Sequence, residues 1–287
     1  MLSLTLRQLE YATAVGRHGG VTAAAEALHV SQPALSVSLA QLEALLGRPL
    51  FLRRAGGRLT PTAFGRGWLD EAEAQLAALA LVEAKAIGKN EKWLDLCAGP
   101  GGKAALLAAE ANVNGAELTC NELAPHRAKL VRQALSVIDS NIRVTVEDGR
   151  TYANNHSAAF DRILLDAPCT GLGALRRRPE SRWRKAQSDV AELSHLQEEL
   201  LQSAWDCLKP GGVLAYVTCS PHLAETNAIV DWAKKKLTGI ELLDANSVLA
   251  SINSNLHLNR GRKTVQLWPH IHQTDAMFIA LLTKTSN

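Results

Sequence analysis

Two stretches of the sequence place a thiol where an apolar run gives out. In "RILLDAPCTGLGALRRRPESRW", residues 162–183, the run ends at Asp166. Pro168 and Cys169 follow, then a glycine-broken loop and a burst of arginine. In "GGVLAYVTCS", residues 211–220, a second run ends at Cys219. A thiolate beside Lys or Arg is an activated nucleophile, because the cation stabilises its charge. Cys97, Cys120 and Cys207 read as core residues, the ordinary fate of a small apolar thiol. None of the five cysteines forms a CxxC and no histidine sits at ligand spacing, so no metal is expected. A redox pairing of Cys169 with Cys219 fits the pattern, but nucleophilic catalysis explains more of it.

Such thiols need elements that bring them to one edge. "KWLDLCAGPGGKAALLAAE" reads as a short strand over about 93–97, a loop of three glycines and a helix. Glycines there allow close backbone approach to a ligand. The phosphate-loop pattern fails, with Cys97 in place of its first glycine and Ala104 in place of its hydroxyl residue. Gly99-x-Gly101-x-x-Ala104, with Glu122 ending the next strand "AELTCNE", suits an adenosine cofactor. A dinucleotide and S-adenosylmethionine both remain open on that loop alone. Further strands at 141–148, 160–166 and 211–220 alternate with helices at 124–138, 189–208 and 223–237. This alternation predicts a doubly wound, mostly parallel sheet with ligands at the carboxyl ends of its strands. Asp148, Asp166, Cys169 and Cys219 all fall at that edge.

The first part of the chain is built differently. The first of the thirteen asparagines is Asn90, and only Lys85 among the twelve lysines lies before residue 89. That shift in composition predicts a seam near residue 88 and two origins. "GGVTAAAEALHVSQPALSVSLAQLEALLG" reads as two short helices about a tight turn, Thr22 capping the first and Ser31 the second, with Pro33 in the first turn. Leu35, Leu39, Leu42 and Leu46 form one apolar stripe, and Gly47 stops the helix. "RPLFLRRAGGRLTP" reads as a hairpin turning at Gly56 and Gly57, with Arg53, Arg54 and Arg58 placed for phosphates. Thr60 and Pro61 are expected to open a helix running to about Ala86, roughly 39 Å long. Leu69, Leu76, Leu79 and Glu83 give it a seam suited to dimerisation.

The blocks "SQPALS" and "LGRPLF" make residues 4–86 resemble the DNA-binding domain of LysR-type transcriptional regulators. The resemblance implies a winged helix-turn-helix, a homodimer through the linker helix, and a recognition helix in the major groove. Gln32, Pro33, Ser36, Ser38 and Gln41 would then face DNA with Arg53, Arg54 and Arg58. Between Gln32 and Leu46 there is no Arg or Lys, so the strongest bidentate base contacts are not on offer.

"DLCAGPGGK", "DAPCTGLGALRRRPESRWRK", "YVTCSPHLAETN" and "LWPHIHQTDAMFIALL" make residues 91–284 resemble the Sun/Fmu group of RNA cytosine-C5 methyltransferases, the RsmB-type branch of the NOL/NOP/Sun enzymes. The resemblance implies a Rossmann-like class I methyltransferase fold, S-adenosylmethionine as cofactor and RNA, 16S rRNA by class, as substrate. It makes Cys219 the nucleophile and Cys169 the group that removes the C5 proton. Asp166 would hold the pyrimidine edge, with Lys103 beside the reacting centre. The cofactor would be held by Cys97, Ala98, Gly99, Pro100, Gly101, Gly102, Lys103, Asp166 and Gly149, with Glu122 on the ribose, Asp148 on the adenine and Arg127 nearby. Residues 176–185 carry six basic side chains and one acidic. Arg176, Arg177, Arg178, Arg182 and Arg184 would grip RNA phosphates, with Trp183 as a stacking element. The group's usual motif has alanine at Gly99 and threonine at Ala104, and an all-helical RNA-binding domain upstream.

The expected organisation is therefore a winged helix-turn-helix over 1–60, a linker helix over 61–88 and a methyltransferase domain over 89–287. A DNA-binding regulator whose appended domain only senses the cofactor, or is inert, is the alternative. The net charge of +3 is too small to name a partner, and no apolar run approaches a membrane span. "MLSLTLRQLEYATAVGRHGG" lacks the basic start and cleavage site of a signal peptide, so the cytoplasm is the expected location.

Overall fold

The computed structural model describes residues 6–54, 58–62, 64–65, 68–69, 75–136, 138, 142–176, 178–252, 256, 258, 261–272 and 274–285. The chain forms two compact units, Met1–Glu73 and Ala74–Asn287.

In the first unit, helices α1 (Leu6–His18), α2 (Val21–Ala27) and α3 (Gln32–Leu46) precede a hairpin of β1 (Phe51–Arg53) and β2 (Leu59–Pro61). Leu35, Leu39 and Leu42 of the α3 stripe are buried against Tyr11, Ala12, Val15 and Leu50. Each such side chain contributes about 1.5–3 kcal/mol of burial. The Ser31 side chain accepts from the Ala34 amide at 3.3 Å, and Gly47 closes the helix at φ 64°. Glu43 Oε1 then accepts from the amides of Leu50 (2.7 Å) and Phe51 (3.1 Å), which fixes the entry into the hairpin.

Two expectations change here, and a third is not tested. Thr22 lies inside α2, whose cap position is Gly20. Thr60 and Pro61 open no helix, because they pair across the hairpin with Leu52 and Phe51. The expected turn glycines, Gly56 and Gly57, lie outside the described residues.

The second unit begins with α4 (Gln75–Glu83); Phe64, Gly65, Trp68 and Leu69, also within the expected linker helix, are helical as well. Residues 77–82 are all buried, packed within this unit on the sheet and its helices. A helix apolar all round is a core helix. Leu79 is therefore interior rather than part of a dimer seam, and the division of the chain falls at 73/74 instead of 88/89.

Arg162, itself 2% exposed, ends α4 by donating to the carbonyls of Leu81, Val82, Lys85 and Ala86 at 2.7–3.1 Å. It also pairs with Glu91 at 2.7 Å. A cation on those carbonyls answers both the orphan acceptors and the negative end of the helix dipole.

The sheet uses β3 (Lys92–Asp95), β4 (Glu117–Asn121), β5 (Arg143–Thr145), β6 (Phe160–Asp166), β7 (Leu208–Thr218), β8 (Ile240–Leu243), β9 (Val265–Gln266) and β10 (Phe278–Lys284). Its order is β5-β4-β3-β6-β7-β10-β8, with β9 on β10. The β3–β7 pairings are parallel, while β10 runs antiparallel between β7 and β8. Helices α5 (Gly102–Asn114), α6 (Pro125–Leu135), α7 (Gln187–Cys207), α8 (Asn227–Lys236) and α9 (Ala245–Ile252) accompany it. Ile163, Leu164 and Leu165 are wholly buried, as a central parallel strand covered on both faces requires. The strand order reverses between β3 and β6, which puts a ligand crevice at their carboxyl ends. Because β10 is antiparallel, its beginning, not its end, lies at that same edge. The expected α/β doubly wound architecture is present, with β10 as the one described strand of this sheet that runs against the others.

Candidate active site

The carboxyl edge gathers the residues that the sequence singled out. Cys169 follows β6 and Cys219 follows β7, and their sulfurs lie 3.3 Å apart. Both thiols are partly exposed, whereas Cys120 and Cys207 are buried. Lys103, at the start of α5, donates to Asp166 Oδ2 at 2.6 Å, closing the site from the glycine-loop side. The two sulfurs titrate in opposite senses. The Cys219 thiol is pulled below the ordinary range by the hydrogen bond from Cys169, with the Lys103 charge helping against burial and Asp166. Cys169 is pushed well up by the same bond and by burial. Burial disfavours the Lys103 ammonium, but the Asp166 carboxylate more than offsets this and raises its pKa.

The glycine loop passes through a cis Gly99–Pro100 peptide, and Gly101 adopts φ 118° at the N-cap of α5. A Cβ on Gly101 would come 2.8 Å from the Ala134 Cβ, so loop and α6 approach as only glycine permits. Glu122 Oε2 accepts the Gly99 amide (3.0 Å), Glu122 Oε1 accepts the Ala124 amide (3.0 Å), and Arg127 donates to the Gly99 carbonyl (2.6 Å). A Cβ on Gly99 would collide with the Glu122 carboxylate, so the alanine of the resembling motif would displace that side chain. Asp148 caps a 3-10 turn beginning at the buried Gly149 and is held by Arg150, Nη2 to Oδ2 at 2.6 Å. That hydrogen bond holds the Asp148 carboxyl below the usual range.

Beneath the loop, Asp95 is 1% exposed and its carboxylate oxygens have no hydrogen-bond partner among the described residues. Burial, and then the Asp166 charge, raise its pKa to about 8. Burial also pushes the Cys97 thiol up. Cys97 and Ala98 continue from β3 toward the loop, the Ala98 amide donating to Asn121 O at 2.8 Å. A glycine turn, a helix N-terminus and the carboxylates of Glu122, Asp148 and Asp166 along one edge fit a cationic nucleoside, with ribose hydroxyls for the first, a base amine for the second and a positive centre near the third.

Sequence reasoning missed several residues that build this edge. Asn121 donates from Nδ2 to Leu96 O (3.2 Å) and Glu147 O (3.0 Å), tying the glycine loop to the Asp148 turn. Asp275, just before β10, is buried and lies 3.9 Å from Arg176. Gly173 donates to Cys219 O and accepts from the Ala276 amide, each at 2.9 Å, so the Cys169 loop is wedged between the Cys219 turn and the start of β10. The signal for each was a quoted motif block, but not its partners.

Arg176, Arg178, Arg182, Trp183 and Arg184 are exposed on the loop after Cys169, and Arg177 lies outside the described residues. Trp183 is 82% exposed, with the Arg182 guanidinium 5.2 Å from its ring centre. On the first unit, Gln32, Pro33 and Gln41 are exposed and Ser36 and Ser38 half-buried along α3, and Arg53, Arg54 and Arg58 are exposed on the hairpin. No group of three or more His, Cys, Asp or Glu among the described residues would hold a metal ion. None of the described helices is long and apolar enough to cross a membrane.

A family model described as 16S rRNA methyltransferase RsmB/F matches residues 83–283. One described as bacterial regulatory helix-turn-helix protein, lysR family, matches residues 6–66. A Mycobacterium tuberculosis protein, provisionally named a methyltransferase, is 46% identical over 233 residues, 79% of this chain and 48% of its own length. Ribosomal RNA small subunit methyltransferase B of Photorhabdus laumondii is 33% identical over 224 residues, 77% of this chain and 48% of that protein. The chain thus spans about half the length of the curated relatives it matches. The crystal structure of PH0851 superposes with a TM-score of 0.68 at 26% identity, covering 85% of this chain and 56% of that one. NSun6 from Pyrococcus horikoshii, solved with SFG, shares the fold with a TM-score of 0.63 at 24% identity, covering 80% and 54%.

Proposed function

Because the chain belongs to the 16S rRNA methyltransferase RsmB/F family, we propose that its second unit methylates C5 of a cytosine in RNA, 16S rRNA by class, through a covalent Cys219–C6 bond. The approach of the two sulfurs to 3.3 Å beside the Lys103–Asp166 pair carries this reading. Cytosine C5 is a poor nucleophile until something adds at C6. Cys219, its thiolate favoured by Cys169 and Lys103, forms the C6–S bond, and the ring electrons move toward N3, where Asp166 and Lys103 meet the pyrimidine edge. S-adenosylmethionine, when bound, would supply an electrophilic methyl group to C5 and keep the electron pair of the broken sulfur–methyl bond. Cys169, once its proton has passed to solvent, removes the C5 proton. The C6–S bond then breaks and its electron pair returns to Cys219. Gly99 to Lys103, Glu122, Arg127, Asp148 and Gly149 would hold the cofactor, with Cys97 and Ala98 behind them. Exposed Trp183 and its neighbouring arginines would hold RNA, the ring by stacking and the guanidiniums by phosphate contact.

The exposed polar face of α3 supports a second activity, DNA binding by the first unit, alongside the lysR-family match. Without cations on α3, base reading would fall to Gln32, Ser36, Ser38 and Gln41, with the hairpin arginines on phosphates. Selection from random duplexes should recover a defined site; recovery of unrelated sequences alone would leave this unit a scaffold.

The methylation reading is tested with S-adenosylmethionine and 16S rRNA fragments. Calorimetry should show cofactor binding, Cys169→Ala should accumulate a protein–RNA adduct, and Cys219→Ala should form none. Normal methylation by both variants would overturn the assignment.

A further inference from the structure

A fully buried carboxylate in the second unit lies behind the thiols rather than among them. Glu225 is 0% exposed. Its Oε1 accepts from the Thr170 amide at 2.8 Å and from Gln197 Nε2 at 3.3 Å. Its Oε2 accepts from Thr170 Oγ1 and Ser220 Oγ, both at 2.6 Å. Thr170 directly follows Cys169, and Ser220 directly follows Cys219. One carboxylate therefore holds the residue after each thiol. The hold is anchored to the fold from both sides. Gln197 of α7 also donates to Pro168 O (2.8 Å), and Tyr216 of β7 donates to Gln197 Oε1 (3.0 Å) and Glu225 O (2.9 Å).

All four donors on the carboxylate are neutral. A buried carboxylate answered only by neutral groups is a demanding arrangement, since charge burial is usually met with an opposite charge. An apolar side chain would fill the space, but it could not join two loops from different strands. We propose that Glu225 is the positioning residue that sets the distance between Cys169 and Cys219, and through it the thiolate character of Cys219. The proposal rests on the methyltransferase reading for its kinetic consequence, but not for its effect on the thiols. Glu225 hydrogen-bonds to neither sulfur, so its hold on their spacing runs through the loops, although its charge also helps to push the Cys169 thiol up.

The full chain carrying Glu225→Ala is the direct test, with Glu225→Gln as the conservative variant. A glutamine can place its carbonyl at the Oε1 position, facing the Thr170 amide and Gln197. Its amide nitrogen then faces two hydroxyls that rotate to accept. Glu225→Ala should lower the turnover number for methylation by about 100-fold with KM nearly unchanged, as an ångström of misplacement does. Glu225→Gln should recover most of that loss.

The deciding readout needs no RNA. Alkylation of Cys219 by iodoacetamide, followed by peptide mapping, should rise at higher pH in Glu225→Ala than in the parent chain. Diamide should oxidise the Cys169–Cys219 pair to a disulfide more slowly, each thiol losing a proton and the two electrons passing to the reagent. Should Glu225→Ala not fold, the double variant Thr170→Val, Ser220→Ala removes both hydroxyls from Oε2 and should move both thiol readouts the same way. An unchanged alkylation profile and disulfide rate in a folded variant overturn the proposal. A parent chain that never methylates overturns the function and leaves the thiol test standing.

Discussion

The two halves of the carboxyl edge handle charge in opposite ways. On the glycine-loop side, Glu122 and Asp148 are met by Arg127 and Arg150, whose side chains are 44% and 47% exposed. On the thiol side, Lys103 and Asp166 are 15% and 27% exposed, and Glu225 behind them is fully enclosed. The arginines there are half in water even though Glu122 is buried, so each can be solvated as it yields its carboxylate to an incoming hydroxyl or amine. Enclosed pairs are costly to separate, because the partner left behind is a charge without water. One half is suited to exchange its partners with a ligand, the other to keep its own while chemistry proceeds.

Removing the cation from the enclosed half should have the largest effect. Lys103→Met takes a positive charge from Cys219 and leaves Asp166 beside it. Methylation should fall about 1,000-fold, and Cys219 should need a higher pH to react with iodoacetamide, since a depressed thiol pKa is what the lysine helps maintain. An unchanged alkylation profile would mean that Lys103 does not act on the sulfur. In the parent chain, Cys219 should react at lower pH than Cys97 or Cys207, whose thiols burial pushes up.

Gly173→Ala probes the same half by shape alone. Its Cβ would lie 2.7 Å from Cys219 O and collide with Ala276 O, both backbone atoms that cannot swing away. Turnover should drop by about 100-fold through displacement of the Cys219 turn, while cofactor affinity measured by calorimetry stays close to that of the parent chain. An equal loss of affinity would mean that the two halves are not separable.

Asp95 sits between them. Its carboxyl pKa, raised to about 8, makes the folded chain bind a proton that the unfolded chain releases above its own value of 3.8. Stability from this group is therefore fully present below the unfolded pKa and declines as pH rises toward 8. Asp95→Asn should remove that decline and stabilise the chain near neutral pH by a few kcal/mol, about 1.4 per pKa unit. Denaturant melts at pH 5 and pH 7.5 should show the variant's advantage growing with pH; a constant difference would refute it. The smallest effect belongs to the exposed half. Arg150→Ala should change cofactor affinity by no more than about threefold, the range of a surface ion pair.

What the sequence revealed follows the distance over which each feature is determined. Ser31, Pro33 and Gly47 bound α3 through contacts within a few residues, and the leucine stripe between them needs only helical spacing. Thr60-Pro61 is locally ambiguous, because a threonine before a proline suits a helix start as well as a strand end. Pairing with Leu52 and Phe51 decides it. The run from Leu76 to Val82 departs from the expected seam for a different reason. Its apolar residues are not confined to one stripe, which is the mark of a helix inside a core rather than at a dimer seam. The thiols and Asp166 could be placed from strand ends alone, and Lys103 from the family resemblance. Glu225, Asn121 and Gly173 could not, since each matters through a partner brought near by the sheet and is an ordinary polar or small residue along the chain.

The antiparallel course of β10 has a consequence for the order in which a working site can exist. Phe278 pairs with Thr218, so the wedge of Ala276 against Gly173 forms only when the chain beyond residue 275 folds back beside β7. During synthesis, both thiols, the lysine and the glycine turn leave the ribosome well before that strand does. A growing polypeptide thus holds every reactive group in an unassembled state, and chemistry waits for the strand inserted between β7 and β8.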